Sequence, residues 1–302
     1  MASTTANLDI NILADITLEA LMVKLDESKV FSLGVATDVL LGDSVKVLVE
    51  RYTKDAAAWN ISSNNYQTQD DDSTTGVDIT LDQKIKKTAF VGEDDYAKID
   101  ITKKLNGLAH ACAYQMLLTQ YNTLTAALYT NTEVVVGAAS AFDMEDMLDL
   151  EVVADDAEFG DDRYCVLANT YMANLKKDAD LITLLNANVD PSVARSRFND
   201  IANFNTIGST VIKSITGTPS TENVIGFITD GSAMGVGLGV PSFTGSADGG
   251  VEVATSVDDG SGIGIQLRRH YDRATGGWYL NAVILYGNAV VRTESLTRLV
   301  SA

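Results

Sequence analysis

The chain has 302 residues, 46% of them hydrophobic and 21% charged, and its 22 basic and 41 acidic side chains give a net charge of −19. That is enough chain to bury a sizeable core, as one elaborate domain or two ordinary ones. The charge argues against wrapping or sliding on nucleic acid, which needs basic patches to displace counterions.

Residues 1–7 are small and polar, a composition that frays. They lack the basic and apolar segments of a secretory signal. No apolar run in the chain approaches the roughly 18 residues of a membrane span. LDINILADITLEALMVKLDESKVFSLGV follows, an arm-like region with a short helical pattern at Leu18, Leu21, Met22 and Leu25.

From Gly42 the pattern changes to period two. Val45, Val47 and Val49 share one side of a strand, and Val77, Ile79 and Leu81 resume the alternation in VDITLDQKIKKTAFV. Such alternation marks half-buried strands. An eight-residue strand spans about 26 Å, so two of them make a long hairpin that must pack on something outside itself. Its far end is SSNNYQTQDDDSTTG, Ser62 to Gly76. Asp70, Asp71 and Asp72 suggest calcium, but an EF-hand loop opening at Asp70 needs Gly and Glu where Thr75 and Leu81 stand. We read the run as a solvated tip with no metal, and Trp59 and Tyr66 beside it as interface anchors.

The next segment repeats apolar residues at Ile101, Leu105, Leu108, Cys112 and Met116, and then at Leu117, Tyr121, Leu124 and Leu128. These steps of three and four predict a helix over 98–129, about 48 Å long, a structural spine. Shorter elements follow: a helix in FDMEDMLDLEVVAD capped by Ser140, a strand in RYCVLA, and a helix opened by Asn169 or Thr170. STVIKSI and ENVIGFIT read as strands and DGSAMGVGLG as a short helix or turn. GIGIQLRRHYD and GWYLNAVILYGNAVVR read as closing strands. The class is mixed α+β, without the βαβ regularity of a doubly wound sheet.

No catalytic constellation emerges. Gly235, Gly237 and Gly239 do not open a helix on which a pyrophosphate could rest, and Pro241 follows at once. His110 and His270 fall in a predicted helix and a predicted strand, outside any metalloprotease or nucleophile-elbow motif. Cys112 and Cys165 are too few and too isolated for a disulfide framework or zinc site, which fits a reducing compartment. Arg268, Arg269 and Arg273 form the densest basic cluster, suited to an intersubunit salt bridge. No cofactor is expected.

The order of these elements resembles the major capsid proteins of tailed bacteriophages, the HK97-like fold. An arm ends in VFSLGV, and an extended loop (E-loop) opens with GDSVKVLV and returns through VDITLDQKIKKTAFVGEDD. A spine follows in ITKKLNGLAHACAYQMLLTQYNTLTAAL. RYCVLANTYMANL and VIGFITDGSAMGVGL resemble the family's A-domain steps, the second a strand leading to a small helix. YLNAVILYGNAVVRTESLTRLV resembles its closing strand. The resemblance implies an N-terminal arm over 1–41, the E-loop hairpin over 42–95, the P-domain spine over 96–135, the A-domain over 136–275 and a closing strand over 276–302.

It further implies a non-enzymatic protein forming hexamers and pentamers of an icosahedral virion shell, assembled in the host bacterial cytoplasm. The shell would enclose double-stranded DNA without sequence-specific binding, and each loop would lie on a neighbouring subunit through Trp59, Tyr66, Asp70, Asp71 and Asp72. The short stretch before the arm implies a separate scaffolding protein; a portal and a decoration protein are further expected partners, and a membrane is not. Some relatives cross-link through a loop lysine. Lys54, Lys84, Lys86 and Lys87 stand in the hairpin without an assignable asparagine, so no cross-link is expected. Two alternatives stay open: an encapsulin-type nanocompartment shell of the same fold and, more distantly, a small-molecule hydrolase.

Overall fold

The computed structural model describes residues 9–51, 73–92, 101–124, 133–178, 200–212, 223–242 and 250–301. Asp9 accepts a hydrogen bond from the Asn11 N–H at 3.0 Å and caps α1 (Ile10–Lys24), which starts about two turns before the pattern read from the sequence. Leu13, Ala14, Thr17, Leu18 and Leu21 form its buried stripe. They pack against α2 (Ile101–Leu124), so this part of the expected arm is a helix built into the core. α2 is the spine; over its 24 residues it runs about 36 Å. The ends of the predicted span fall outside the described residues.

The larger sheet lies over these helices, with β1 (Ser32–Val39), β10 (Met234–Pro241), β13 (Gly277–Val290), β12 (Gly264–Asp272) and β11 (Val251–Val257) in that order. β13 is its axis. β12 and β10 follow each other along one edge of it, and β4 (Gln83–Gly92) runs along the other. Leu280, Ala282, Ile284 and Tyr286 turn inward with Val91, Val236, Leu238, Ile265 and Leu267, onto the two helices.

On the outer face lies the hairpin. β2 (Ser44–Arg51) pairs with β3 (Ser73–Thr80) from Ser44↔Thr80 to Arg51↔Ser73. The expected single return strand is in fact two. The chain breaks at Leu81, which is fully buried and held by hydrogen bonds to Asp43 and Gly42, before β4 joins the large sheet. A single straight strand cannot both pair with β2 and reach the edge of β13.

Residues 234–239, the larger part of the segment read as helix or turn, lie in a fully buried strand. Its alternation sends Met234, Val236 and Leu238 to the core and Gly235, Gly237 and Gly239 to the outer face, beneath Ile79 and Leu81. Gly34 of β1, Gly237 of β10 and Gly287 of β13 stand side by side in register. A Cβ on Gly287 would lie 2.0 Å from the Thr80 carbonyl oxygen, and one on Gly34 would lie 2.5 Å from Val47. The hairpin root therefore rests on bare backbone.

The smaller sheet runs β5 (Glu133–Val136), β14 (Leu296–Ser301), β9 (Asn223–Thr229), β6 (Tyr164–Ala168), β8 (Phe204–Ser209) and β7 (Asp200–Ile201). α3 (Met144–Asp156) and α4 (Asn169–Leu175) cover one face through Met147, Leu150, Met172 and Leu175. The cap of α3 is Asp143, in a capping box with Asp146, and not Ser140. α4 begins at Asn169, as the sequence suggests, with Ala168 as an N-cap that supplies no side-chain hydrogen bond. Of the strand expected at STVIKSI, Ser209 ends β8, residues 210–212 are not strand, and residues 213–215 lie outside the described residues. From the other face Phe227 meets Tyr121 of α2 edge-on at 5.3 Å and stacks on Phe31 at 5.7 Å, joining the sheet to the spine.

β10, β11 and β12 sit with β13, and the closing segment crosses from β13 in one sheet to β14 in the other. Strand pairing across the sheet sets these memberships, and sequence order does not reveal it.

Arg298 of β14 is 1% exposed and pairs with Glu133 of β5. Among the described residues its Nε and Nη1 have no acceptor. Removing one partner of a buried pair strands the other charge. Glu133→Ala should therefore cost about 3–5 kcal/mol in denaturant unfolding, and Arg298→Met distinctly less. Gly287→Ala should cost about 1–3 kcal/mol by overpacking against Thr80. Gly107→Ala, whose Cβ meets nothing within 4 Å inside α2, should stabilise by up to about 1 kcal/mol. Equal responses of the two glycine variants would refute the glycine floor.

Candidate functional site

The hairpin stem stands off the body from this floor. Val45, Val47 and Ile79 are buried toward the sheet, and Leu48 on the other side is 61% exposed. Leu40 and Leu41, beside the root, are exposed as well. Trp59, Tyr66, Asp70, Asp71 and Asp72 lie outside the described residues, so only the stem that would carry them is seen.

The three arginines do not gather. Successive strand residues point to opposite faces, so Arg268 and Arg269 of β12 part company. Arg269 turns to the inner face, donates from Nε to Glu252 Oε2 at 2.8 Å, and lies 5.4 Å over the Trp278 ring. That contact is within the subunit. Arg268 turns outward, its Nε 2.8 Å from Gln266 Oε1. Arg273 sits exposed in the turn after β12, where Asp272 accepts from the Ala274 N–H and the Thr275 hydroxyl, each at 2.9 Å. Those bonds hold the Asp272 carboxyl below its ordinary range.

Charge is segregated over the surface. α3 and the turn after it run from Asp143 to Asp162 with ten carboxylates and no lysine or arginine, and Leu148 and Val152 are exposed among them. Lys84 and Lys86 share the outer face of β4, and Lys87 turns to the inner one. Phe90 of β4, Tyr279 of β13 and His270 of β12 form one row of rings, with centroids 5.0 and 5.1 Å apart. This row escapes a reading by sequence because Phe90 lies 180 residues or more from the other two; only register joins them.

His110 is exposed on α2, its pKa lowered by partial burial and by Lys24, and His270 is engaged with Tyr279. Among the described residues no group of three or more His, Cys, Asp or Glu could hold a metal ion, and no helix is long and apolar enough to cross a membrane. A cavity of about 520 Å³ opens beside β8, lined by Glu27, Lys29, Asn169, Lys176 and Thr206. Its Glu27 is held by Ser209 Oγ at 2.7 Å and the Tyr121 hydroxyl at 3.3 Å, which ties the N-terminal turn to the spine and the smaller sheet.

Both cysteines are buried and free. Burial pushes the Cys112 thiol up to about 11 and Cys165 higher still, and raises Tyr121, Tyr171 and Tyr286. Their ordinary values are 9.0 for a thiol and 10.0 for a phenol. These acids keep their protons longer folded than unfolded, so their contribution is full below about pH 9 and is lost as pH rises through the folded values. The unfolding midpoint should stay level to about pH 9 and then fall, and neither thiol should react with a disulfide reagent at neutral pH until the protein unfolds. Fast native labelling would contradict the burial.

The course of the whole chain is similar to that of known assembled particles. Against the capsid of the cyanophage P-SCSP1u the TM-score is 0.55 at 13% identity, over 91% of this chain and 88% of that one. A virus-like particle from Pyrococcus furiosus gives 0.53 at 11% identity, over 96% and 97%. The mature capsid of bacteriophage PhiM1 gives 0.50 at 10% identity, over 90% and 86%. No protein-family model matches the chain, and no curated protein is similar to it in sequence. The likeness runs over 86–97% of these chains and at least 90% of this one, and the chain has the mixed α+β, HK97-like fold of phage capsid proteins.

Proposed function

We propose that this chain is the major capsid protein of a tailed bacteriophage, non-enzymatic, whose work is done by its interfaces. The observation that carries the reading is the full-length likeness of its fold to assembled capsids. Hexamers and pentamers of the chain would close an icosahedral shell around double-stranded DNA, built in the host cytoplasm with a separate scaffolding protein, a portal and a decoration protein. The hairpin would carry Trp59, Tyr66 and Asp70–Asp72 onto a neighbour. Arg268 and Arg273 would serve intersubunit salt bridges, with Arg269 bound to Glu252 in its own subunit. The charge of −19 suits a container that confines DNA without adsorbing it.

An encapsulin-type shell is the second reading, supported by the likeness to the Pyrococcus furiosus particle. It would enclose protein cargo instead of DNA.

Expression with candidate scaffolding genes, followed by sedimentation and electron microscopy, tests both. Closed shells are expected. Nuclease-protected DNA in native particles would select the phage reading, and an enclosed enzyme the encapsulin. A monomer that stays stable under every assembly condition would overturn both.

A further inference from the structure

β4 is an edge of the large sheet. One side pairs with β13 from Gly92 to Gln83, and no strand among the described residues pairs with the other. A cavity of about 510 Å³ lies between this strand and the flank of α2. Lys84, Lys86 and Lys87 line one wall, and Ala111, Tyr114 and Gln115 the other. Alternation sends Lys84 and Lys86 to one face of the sheet and Lys87 to the other, so the three ammonium groups straddle the edge. All three are exposed, and among the described residues none is in an ion pair.

Both walls are cleared of negative charge. In a chain with 41 carboxylates, β4 carries none from Gln83 to Gly92 and α2 none over its 24 residues. Lys104, also exposed, stands on the stripe of α2 that carries Ala111 and Gln115, seven and eleven residues before them. Lysines on an edge strand deter unwanted pairing. That role concerns the strand alone; it does not account for a cavity whose helical wall is equally free of carboxylates. Apart from Tyr114, the lining offers no large exposed apolar side chain to anchor a protein partner.

We infer that this groove binds the phosphodiester backbone of nucleic acid, without reading its sequence. Lys84 to Lys87 extend over about 10 Å of strand. Each strand of a duplex passes a phosphate about every 3.4 Å of axis, so the three cations can meet about three phosphates. The Tyr114 ring beside them suits an unpaired base. A net charge of −19 argues against wrapping and confines the contact to this groove. The inference goes beyond the shell reading and does not rest on it, because every residue of the groove belongs to one subunit.

The full chain is titrated with a short labelled duplex, and binding is followed by fluorescence anisotropy. Affinity should fall about fortyfold between about 50 and 200 mM salt, the dependence of three phosphate contacts. Lys84→Gln, Lys86→Gln and Lys87→Gln together should weaken binding about tenfold or more at the lower salt and flatten that dependence. Their thermal unfolding should match that of the native chain, since the three side chains are exposed. Lys176→Gln with Lys177→Gln, exposed after α4 and outside the groove, should leave affinity and salt dependence unchanged. No binding by the native chain, or binding that survives the triple change, would overturn the inference.

Competition identifies the ligand. Unlabelled duplex should displace the probe, polyglutamate of matched charge should do so less well, and inorganic phosphate only at far higher concentration. Polyglutamate displacing as well as duplex would make the groove a site for acidic peptides and overturn the inference. Sedimentation of the same preparations reports assembly separately, so a chain that binds duplex without forming shells would sink the shell reading and leave the groove standing.

Discussion

The hairpin approaches the large sheet so closely that several sheet positions beneath it have no room for a side chain. Gly34, Gly237 and Gly287 stand in one row across β1, β10 and β13, and the Thr80 carbonyl occupies the space a Cβ on Gly287 would need. Burial of Val45, Val47, Ile79 and Leu81 on that floor is the favourable term. A two-stranded hairpin is marginal by itself in water. Anchored at its root, it leaves the body at a defined place and direction. The break at Leu81 then frees β4 to complete the other edge of β13.

The interior has a matching logic. One face of the large sheet is sealed by α1 and α2, and the smaller sheet is tied to the spine through Phe227, Tyr121 and Phe31. Ser209 and Tyr121 converge on Glu27 at the same junction. The outward surfaces can then specialise: carboxylates on α3, and cations and rings on the sheet face beyond the hairpin. A subunit that places opposite charge on separate faces can meet copies of itself heterologously, a geometry that closes into rings or shells.

Much of this was legible in the sequence. The spine appeared in the spacing Leu105, Leu108, Cys112, Met116, since helix periodicity survives whatever the helix packs on. β2, β6, β9, β12 and β13 were legible in alternation and apolar runs. The failures share one cause. GVGLG looked like helix or turn because glycine has low strand propensity, yet close approach of the hairpin outweighs that preference. VDITLDQKIKKTAFV and the closing segment each looked like one strand because alternation says nothing about which sheet a strand joins. The arginine trio looked like a cluster because adjacency in sequence is not adjacency on a pleated strand.

By itself, then, the sequence determined the spine helix, the hairpin alternation, most of the strands and the acidic balance, because local periodicity and composition are properties of the chain. Tertiary structure alone decided the glycine floor, the sheet memberships of β4, β10 and β14, the Arg269–Glu252 pair, and the row Phe90–Tyr279–His270. Each of these depends on register between strands far apart in the chain, and register is settled by packing across the sheet, which no single stretch of sequence encodes.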